Sequence, residues 1–246
     1  MAAKRVQFGS IGVDAIDQAE ALDRIETLIG AGGRHVMAVV NASKLVLAAD
    51  NARLRGILER ADLVTADGMS VVWGARLLGG RLPGRVTGID TMELLVARAA
   101  ERGWRVFFLG AKPEAVAAAV DKLKRKHRGL ILAGYLDGYF RGHEAEVVAR
   151  VSAARPDVLF VAMGSPAQEY FIADNLDALG STLCLGVGGS FDHVAGLSRR
   201  APRWMQQAGL EWLYRFASEP RRLWRRYLIG NARFAALLVR LKARGR

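Results

Sequence analysis

Asn41 and Asp67 each close a short apolar, β-branched run and each precede a stretch of helical periodicity, so both stand where a strand turns into a helix. In an open parallel sheet, ligands lie beyond the carboxyl ends of the strands, and side chains on those turns face them. A carboxylate in that position can take the proton of an attacking hydroxyl. It can equally do no more than cap the helix that starts near Gly68, and Asn41 is as good a cap. Local sequence leaves both readings open. Arg85 lies in a Gly, Pro and Arg-rich loop over 79–88, where its planar fork of donors can grip a phosphate or stand as a solvated loop charge.

The same order of strand, turn and helix repeats downstream. Strands over 105–109, 130–133, 158–163 and 182–187 alternate with helices over 114–125, 144–154 and 170–179. Their turns carry Gly110 and Lys112, then Tyr139 in an aromatic loop over 135–140, then Gly164 and Gln168, and last Gly188, Gly189 and Asp192. Glycine lets backbone N–H groups approach a ligand, and a helix start favours phosphate, so a nucleotide diphosphate suits these turns. Each glycine can also be a tight turn with no ligand. The fingerprint Gly-x-Gly-x-x-Gly is missing after the early strands and no P-loop occurs, which speaks against a Rossmann oxidoreductase.

Upstream, the pattern predicts a hairpin-like edge over 6–13, helices over 17–29, 44–49 and 53–60, buried strands over 35–40 and 63–66, and helices over 69–78 and 91–102. Strands separated by helices require right-handed crossovers. The expected fold class is therefore α/β, a Rossmann-like, mostly parallel sheet flanked by helices.

With 246 residues, 51% of them hydrophobic, the chain can fill a sizeable core. The lone Cys184 sits in an apolar run, which excludes an internal disulfide and suits a reducing compartment. No apolar run approaches the ~20 residues needed to cross a bilayer, and residues 1–7 lack the apolar core of a signal peptide, so a cytoplasmic protein is expected. Divalent-ion chemistry is poorly served, since no Asp-x-Asp occurs and the four histidines are scattered. No metal or other cofactor is expected. A departing diphosphate would then be met by Arg, Lys and helix ends.

Charge divides the chain in two. Residues 199–246 hold 13 Arg or Lys against Glu211 and Glu219, whereas 1–198 hold 23 basic against 22 acidic residues. A near-neutral body over 1–198 thus precedes a basic appendage over 199–246, which could meet nucleic acid, an anionic membrane surface or a phosphorylated substrate. Within the appendage, 202–217 is helical in pattern, and Pro220 can open a second helix through Trp224, Tyr227, Leu228, Phe234, Leu238 and Leu241. Arg222, Arg226, Arg233 and Arg240 share one face of it. A basic face beside an aromatic and aliphatic one describes a helix lying in a membrane interface; the alternative is a terminal helix packed on the domain with solvated arginines.

Taken together, these stretches resemble the WecG/TagA/CpsF glycosyltransferases. Asn41, Thr65-Ala66-Asp67-Gly68, Arg85-Val86-Thr87-Gly88, Gly164-Ser165-Pro166-Ala167-Gln168-Glu169 and Gly188-Gly189-Ser190-Phe191-Asp192 occur in the family's order. So do Arg200-Ala201-Pro202-Arg203-Trp204, Gly209-Leu210-Glu211-Trp212-Leu213-Tyr214-Arg215 and Glu219-Pro220-Arg221-Arg222, so that the resemblance spans about residues 36 to 230. It implies a membrane-associated, metal-independent, inverting transferase at the cytoplasmic face of the plasma membrane. The donor would be a UDP-sugar, of UDP-glucose or UDP-N-acetylmannosamine type, and the acceptor a polyprenyl-diphosphate-linked saccharide of cell-surface polysaccharide synthesis. A homo-oligomer is compatible with this reading and nucleic acid is not a partner in it. The resemblance makes Asp67 the catalytic base with Asn41, Arg85 and Gln168 around it, and makes Arg215, Arg222 and Arg225 arginines that complete the site. Lys112, Tyr139 and Asp192, with the glycine turns, are candidates for holding the nucleotide. Members often carry Thr two residues before the Asn, where this chain has Val39. The rival readings are a non-catalytic nucleotide- or anionic-lipid-binding protein and a Rossmann oxidoreductase.

Overall fold

Among the described residues eight runs become strands, and six of these pair side by side in one parallel sheet. The computed structural model describes residues 4–202, 204–205, 209–218 and 229–245. Strands β1 (Arg5–Phe8) and β2 (Ile11–Asp14) form an antiparallel hairpin. The sheet comprises β3 (His35–Val40), β4 (Leu63–Ala66), β5 (Arg105–Gly110), β6 (Ile131–Leu136), β7 (Val158–Ala162) and β8 (Leu183–Gly186). Its order is β4-β3-β8-β7-β5-β6, with every neighbouring pair parallel. All residues of β4, β7 and β8 are buried, which is why those runs, Thr65 apart, lack polar side chains instead of alternating.

Alternate side chains of the strands point to opposite faces, and helices cover both. On one face α1 (Gln18–Ala31), α5 (Gly88–Arg102), α6 (Pro113–Lys126) and α9 (Ser190–Ala195) pack with Met37, Phe108, Phe160 and Leu185. The opposite face is split. At its β3-β4 side α2 (Ala42–Asp50), α3 (Ala52–Arg60) and α4 (Met69–Leu77) pack with the hairpin around Val40 and Val64. Further along, α7 (Glu144–Ala154) and α8 (Ala167–Leu179) pack on Phe107, Leu159 and Cys184. Burial pushes the Cys184 thiol up to about 12, so the core cysteine stays protonated.

Turn chemistry moved several boundaries. Thr87 Oγ1 accepts the Asp90 amide, so α5 starts three residues before the periodicity suggests. α8 likewise begins early, at Ala167, and β6 continues through Tyr135 and Leu136, two residues assigned from sequence to the aromatic loop.

The appendage departs further from expectation. Instead of one helix over 202–217, the described residues show α10 (Glu211–Ser218) behind Gly209, whose φ of +75° breaks the helical path. The last helix, α11 (Gly230–Ala243), turns Phe234, Leu238 and Leu241 inward against Phe8, Leu45 and Val71. The Phe8 and Phe234 rings stack at 6.4 Å. This corrects the membrane reading for that stretch: its apolar stripe belongs to the core, where each such side chain is worth about 1.5–3 kcal/mol, while Arg233 and Arg240 remain exposed. Trp224, Tyr227, Leu228, Arg222 and Arg226 lie outside the described residues. Among the described residues no helix is long and apolar enough to cross a membrane.

Candidate active site

Two backbone bonds at the carboxyl end of β4 build the corner where the polar turns meet. The Asp67 amide donates to the Val40 carbonyl at 2.7 Å, joining the ends of β4 and β3. The Val86 amide donates to the Ala66 carbonyl at 2.8 Å, and Thr65 Oγ1 donates to the Val86 carbonyl at 3.3 Å. Arg85 is thereby tethered one residue from the partner of Ala66, beside Asp67. The cap position of α4 falls on Gly68, at φ +118°, and Asp67 precedes it, half-buried. For Asn41 the cap reading holds: its Oδ1 accepts the Lys44 amide at 3.0 Å.

A buried polar chain fastens this corner to the middle of the sheet. Lys44 Nζ donates to the Val39 carbonyl and to Glu169 Oε1, each at 2.7 Å. Gln168 Nε2 donates to the same Glu169 oxygen at 3.0 Å, and Gln168 Oε1 accepts the Gly188 amide at 3.0 Å. Gln168 is only 2% exposed, so both ends of its amide serve to tie the turns after β3, β7 and β8 to one another. The fit allows no extra atom: a Cβ on Gly186 would stand 2.4 Å from Gln168 Nε2. Lys44 escaped the sequence reading, although a lysine beside Leu45 and Ala48 on a helix with a buried face is the visible signal. Val39, two residues before Asn41, lies in the apolar core.

The other turns follow along the same edge of the sheet. Gly188 and Gly189 lead into α9, and the Asp192 carbonyl accepts the Leu197 and Ser198 amides behind it. Gly164, at φ +75°, opens the turn that carries Gln168. Gly110 and the exposed Lys112 follow β5, four strand steps from β4, which amounts to roughly 19 Å. Tyr139, 70% exposed, is one strand farther. The structure thus gathers Asn41, Asp67, Arg85, Gln168 and Gly188 at one end of the sheet edge and leaves Gly110, Lys112 and Tyr139 at the other.

The described part of the appendage touches this corner at Met69, Arg85 and Asp90. Gly209 packs so tightly on the first turn of α4 that a Cβ there would stand 2.6 Å from Met69 Cγ. Two residues on, Glu211 Oε2 accepts from Arg85 Nη1 at 2.7 Å, both side chains being mostly buried. Arg200 Nη2 donates to Asp90 Oδ2 at 2.8 Å and Nη1 to Oδ1, while its Nε stands 3.5 Å from Glu211 Oε1. Burial pushes the Asp90 carboxyl up, but the bonds from Arg200 and Thr87 and the charges of Arg200 and Arg85 outweigh it and hold the group below its ordinary range. Sequence gave none of Asp90, Arg200 and Glu211 a role. Arg222, Arg225 and the Arg215 side chain lie outside the described residues. Among those described, no three His, Cys, Asp or Glu side chains converge as a metal site would require. A separate groove of about 330 Å³, between the hairpin turn, α2 and α11, carries Arg55, Arg240 and Arg244 and none of these site residues.

A strand-end acid beside an arginine, touched by a basic appendage, is an arrangement suited to group transfer from an anionic leaving group. Comparison with known proteins gives the family. Residues 6–246 match the family described as Glycosyl transferase WecG/TagA/CpsF family. At 38% identity over 181 residues, 74% of this chain and 70% of the relative, the sequence is similar to a Bacillus spizizenii protein named N-acetylglucosaminyldiphosphoundecaprenol N-acetyl-beta-D-mannosaminyltransferase. The chain therefore belongs to the WecG/TagA/CpsF family and is a glycosyltransferase.

Proposed function

We propose that this glycosyltransferase moves a sugar, with inversion, from a UDP-sugar to a polyprenyl-diphosphate-linked saccharide at the cytoplasmic face of an anionic membrane. The observation that supports the reading is the corner itself, where backbone bonds bring the Asp67 turn and the Arg85 loop to the end of β4, and Gly209 and Glu211 of the appendage touch Met69 and Arg85 there. The lipid-linked acceptor is supported by the name of the Bacillus relative, whose acceptor is a diphosphoundecaprenol-linked sugar.

In this mechanism the Asp67 carboxylate takes the proton of the acceptor hydroxyl as its oxygen attacks the anomeric carbon from the face opposite UDP. The bond from that carbon to the diphosphate oxygen breaks, and UDP leaves with the electron pair. Arg85, joined by Arg215, Arg222 and Arg225, meets the charge building on the diphosphate without a divalent ion; losing one such donor commonly costs about 3 kcal/mol of barrier. Asn41 and Gln168 act as positioning residues, the first by capping α2 and the second by fixing the Gly188 turn. Gly164, Gly188, Gly189 and Asp192 line the nucleotide's path, with Gly110, Lys112 and Tyr139 at its far end.

Membrane contact is supported at two places. Trp73 on α4 and Trp212 and Leu213 on α10 are exposed near the mouth, and amphipathic aromatics favour the bilayer interface. The exposed Arg233, Arg240 and Lys242 of α11 add charge that attracts anionic lipid. The decisive test is a panel of UDP-sugars with a short-chain polyprenyl-diphosphate saccharide, comparing the native chain with Asp67→Asn. Turnover that depends on one UDP-sugar and is lost in the variant is the expected result; equal turnover by the two chains removes Asp67 from its role.

A further inference from the structure

Glu211 sits between two guanidinium groups that treat it unequally. Its Oε2 is bonded to Arg85 at 2.7 Å, whereas its Oε1 lies 3.5 Å from Arg200 Nε, too far and too poorly aligned for a hydrogen bond. Arg200 Nε is buried and has no hydrogen-bond partner among the described residues. A buried donor left in this state is costly, and the nearby acceptor that could satisfy it is the carboxylate now drawn toward Arg85. Asp90 holds the rest of the Arg200 fork, with Thr87 Oγ1 on the same carboxylate, so Arg200 is fixed and Glu211 is the member with two places to go.

Charge makes the same point. Arg85, Glu211, Arg200 and Asp90 carry two positive and two negative charges, so these four side chains are neutral as a set. A neutral set offers a diphosphate little attraction until the carboxylate on Arg85 gives way. A carboxylate and a phosphate compete for the same fork of donors.

We infer that Glu211 is a tethered anion of the donor site, which occupies Arg85 until a diphosphate displaces it and then moves onto Arg200. The inference rests on the proposed UDP-sugar reading and deepens it: loading the donor releases the first turn of α10 from Arg85 while Arg200 and Asp90 keep the appendage attached. Glu211 is thus a residue that sets donor affinity and couples it to the appendage.

The test is calorimetric titration of the full-length chain with UDP, inorganic diphosphate and uridine. Glu211→Gln removes the competing charge at nearly constant shape. UDP and inorganic diphosphate are expected to bind it about 5- to 10-fold more tightly, the gain that follows when a mostly occupied site becomes fully competent. Uridine affinity should stay within twofold. In an Arg85→Ala background the same substitution should change UDP affinity less than twofold. Glu211→Asp, which draws the carboxylate back from Arg85 while keeping its charge, should shift affinity in the same direction and serves if the Gln variant folds poorly. Unchanged or weaker UDP binding by both Glu211 variants overturns the exchange and leaves the donor reading standing. A native chain that binds neither UDP nor diphosphate overturns the donor reading, and the exchange falls with it.

Discussion

Lys44 Nζ and Glu169 Oε1, 125 residues apart in sequence, meet at 2.7 Å in a setting where both side chains are almost fully buried. The pair joins the first turn of α2, capped by Asn41, to the first turn of α8, which carries Gln168. Breaking one partner leaves the other charge in the core. Lys44→Met is therefore expected to cost about 3–5 kcal/mol, and Lys44→Met with Glu169→Gln to recover more than half of it, as measured by urea denaturation.

Gly186 offers a probe of the same chain that adds one methyl group and no charge. In Gly186→Ala the new Cβ must displace the Gln168 amide, which holds the Gly188 amide. Expected are a loss of about 1–3 kcal/mol in stability and a raised KM for the donor with kcat less affected, read from steady-state kinetics.

Asp67→Asn tests the chemical step separately from binding. Removing a general base commonly costs about 10²–10⁴-fold in rate. The expected outcome is a fall of that size in kcat, with UDP affinity within threefold and an unchanged thermal unfolding curve.

The Asp90 to Arg200 pair predicts an acid-sensitive appendage. Because the native Asp90 carboxyl ionises below its ordinary value, its contribution is whole above the unfolded value of ~3.9 and is lost as pH falls through the lower native one. Native protein should lose thermal stability more steeply than Asp90→Asn on going from pH ~5 to ~3. Parallel acid limbs for the two proteins would count against the pair.

Membrane contact can be tested without disturbing the core. Cutting the chain after Arg199 would strip α11 from Phe8, Leu45 and Val71, so loss of function on truncation would report unfolding as much as lost docking. Reversing the exposed Arg233, Arg240 and Lys242 to Glu leaves the buried stripe alone. Binding to vesicles containing anionic phospholipid should then fall steeply, at ~1 kcal/mol per charge, while the melting temperature holds.

Much of this was legible in the chain. The parallel sheet follows from apolar runs alternating with helical periodicity, and the placing of Asn41, Asp67, Gly164 and Gly188 on strand-to-helix turns follows from where those runs stop. The Asp67 and Arg85 neighbourhood was suggested by resemblance, and the Val86 to Ala66 bond is its physical basis. Helical periodicity marked the buried face on which Lys44 lies, but nothing local marked Glu169 as its partner or Glu211 as the partner of Arg85, because ion pairs between distant segments leave no periodic trace. The stripe of Phe234, Leu238 and Leu241 was visible but not its destination, since a lipid surface and a protein core demand the same pattern of side chains.

Period and turn chemistry are properties of neighbours along the chain, so sequence alone determined the α/β class, the strand ends that carry polar residues and the division between a neutral body and a basic tail. Strand order, the distance separating Tyr139 from Asp67 and the choice of Glu211 for Arg85 were decided only on folding. Each depends on which surfaces meet when the sheet closes its faces, and that is settled by packing and desolvation over the whole molecule.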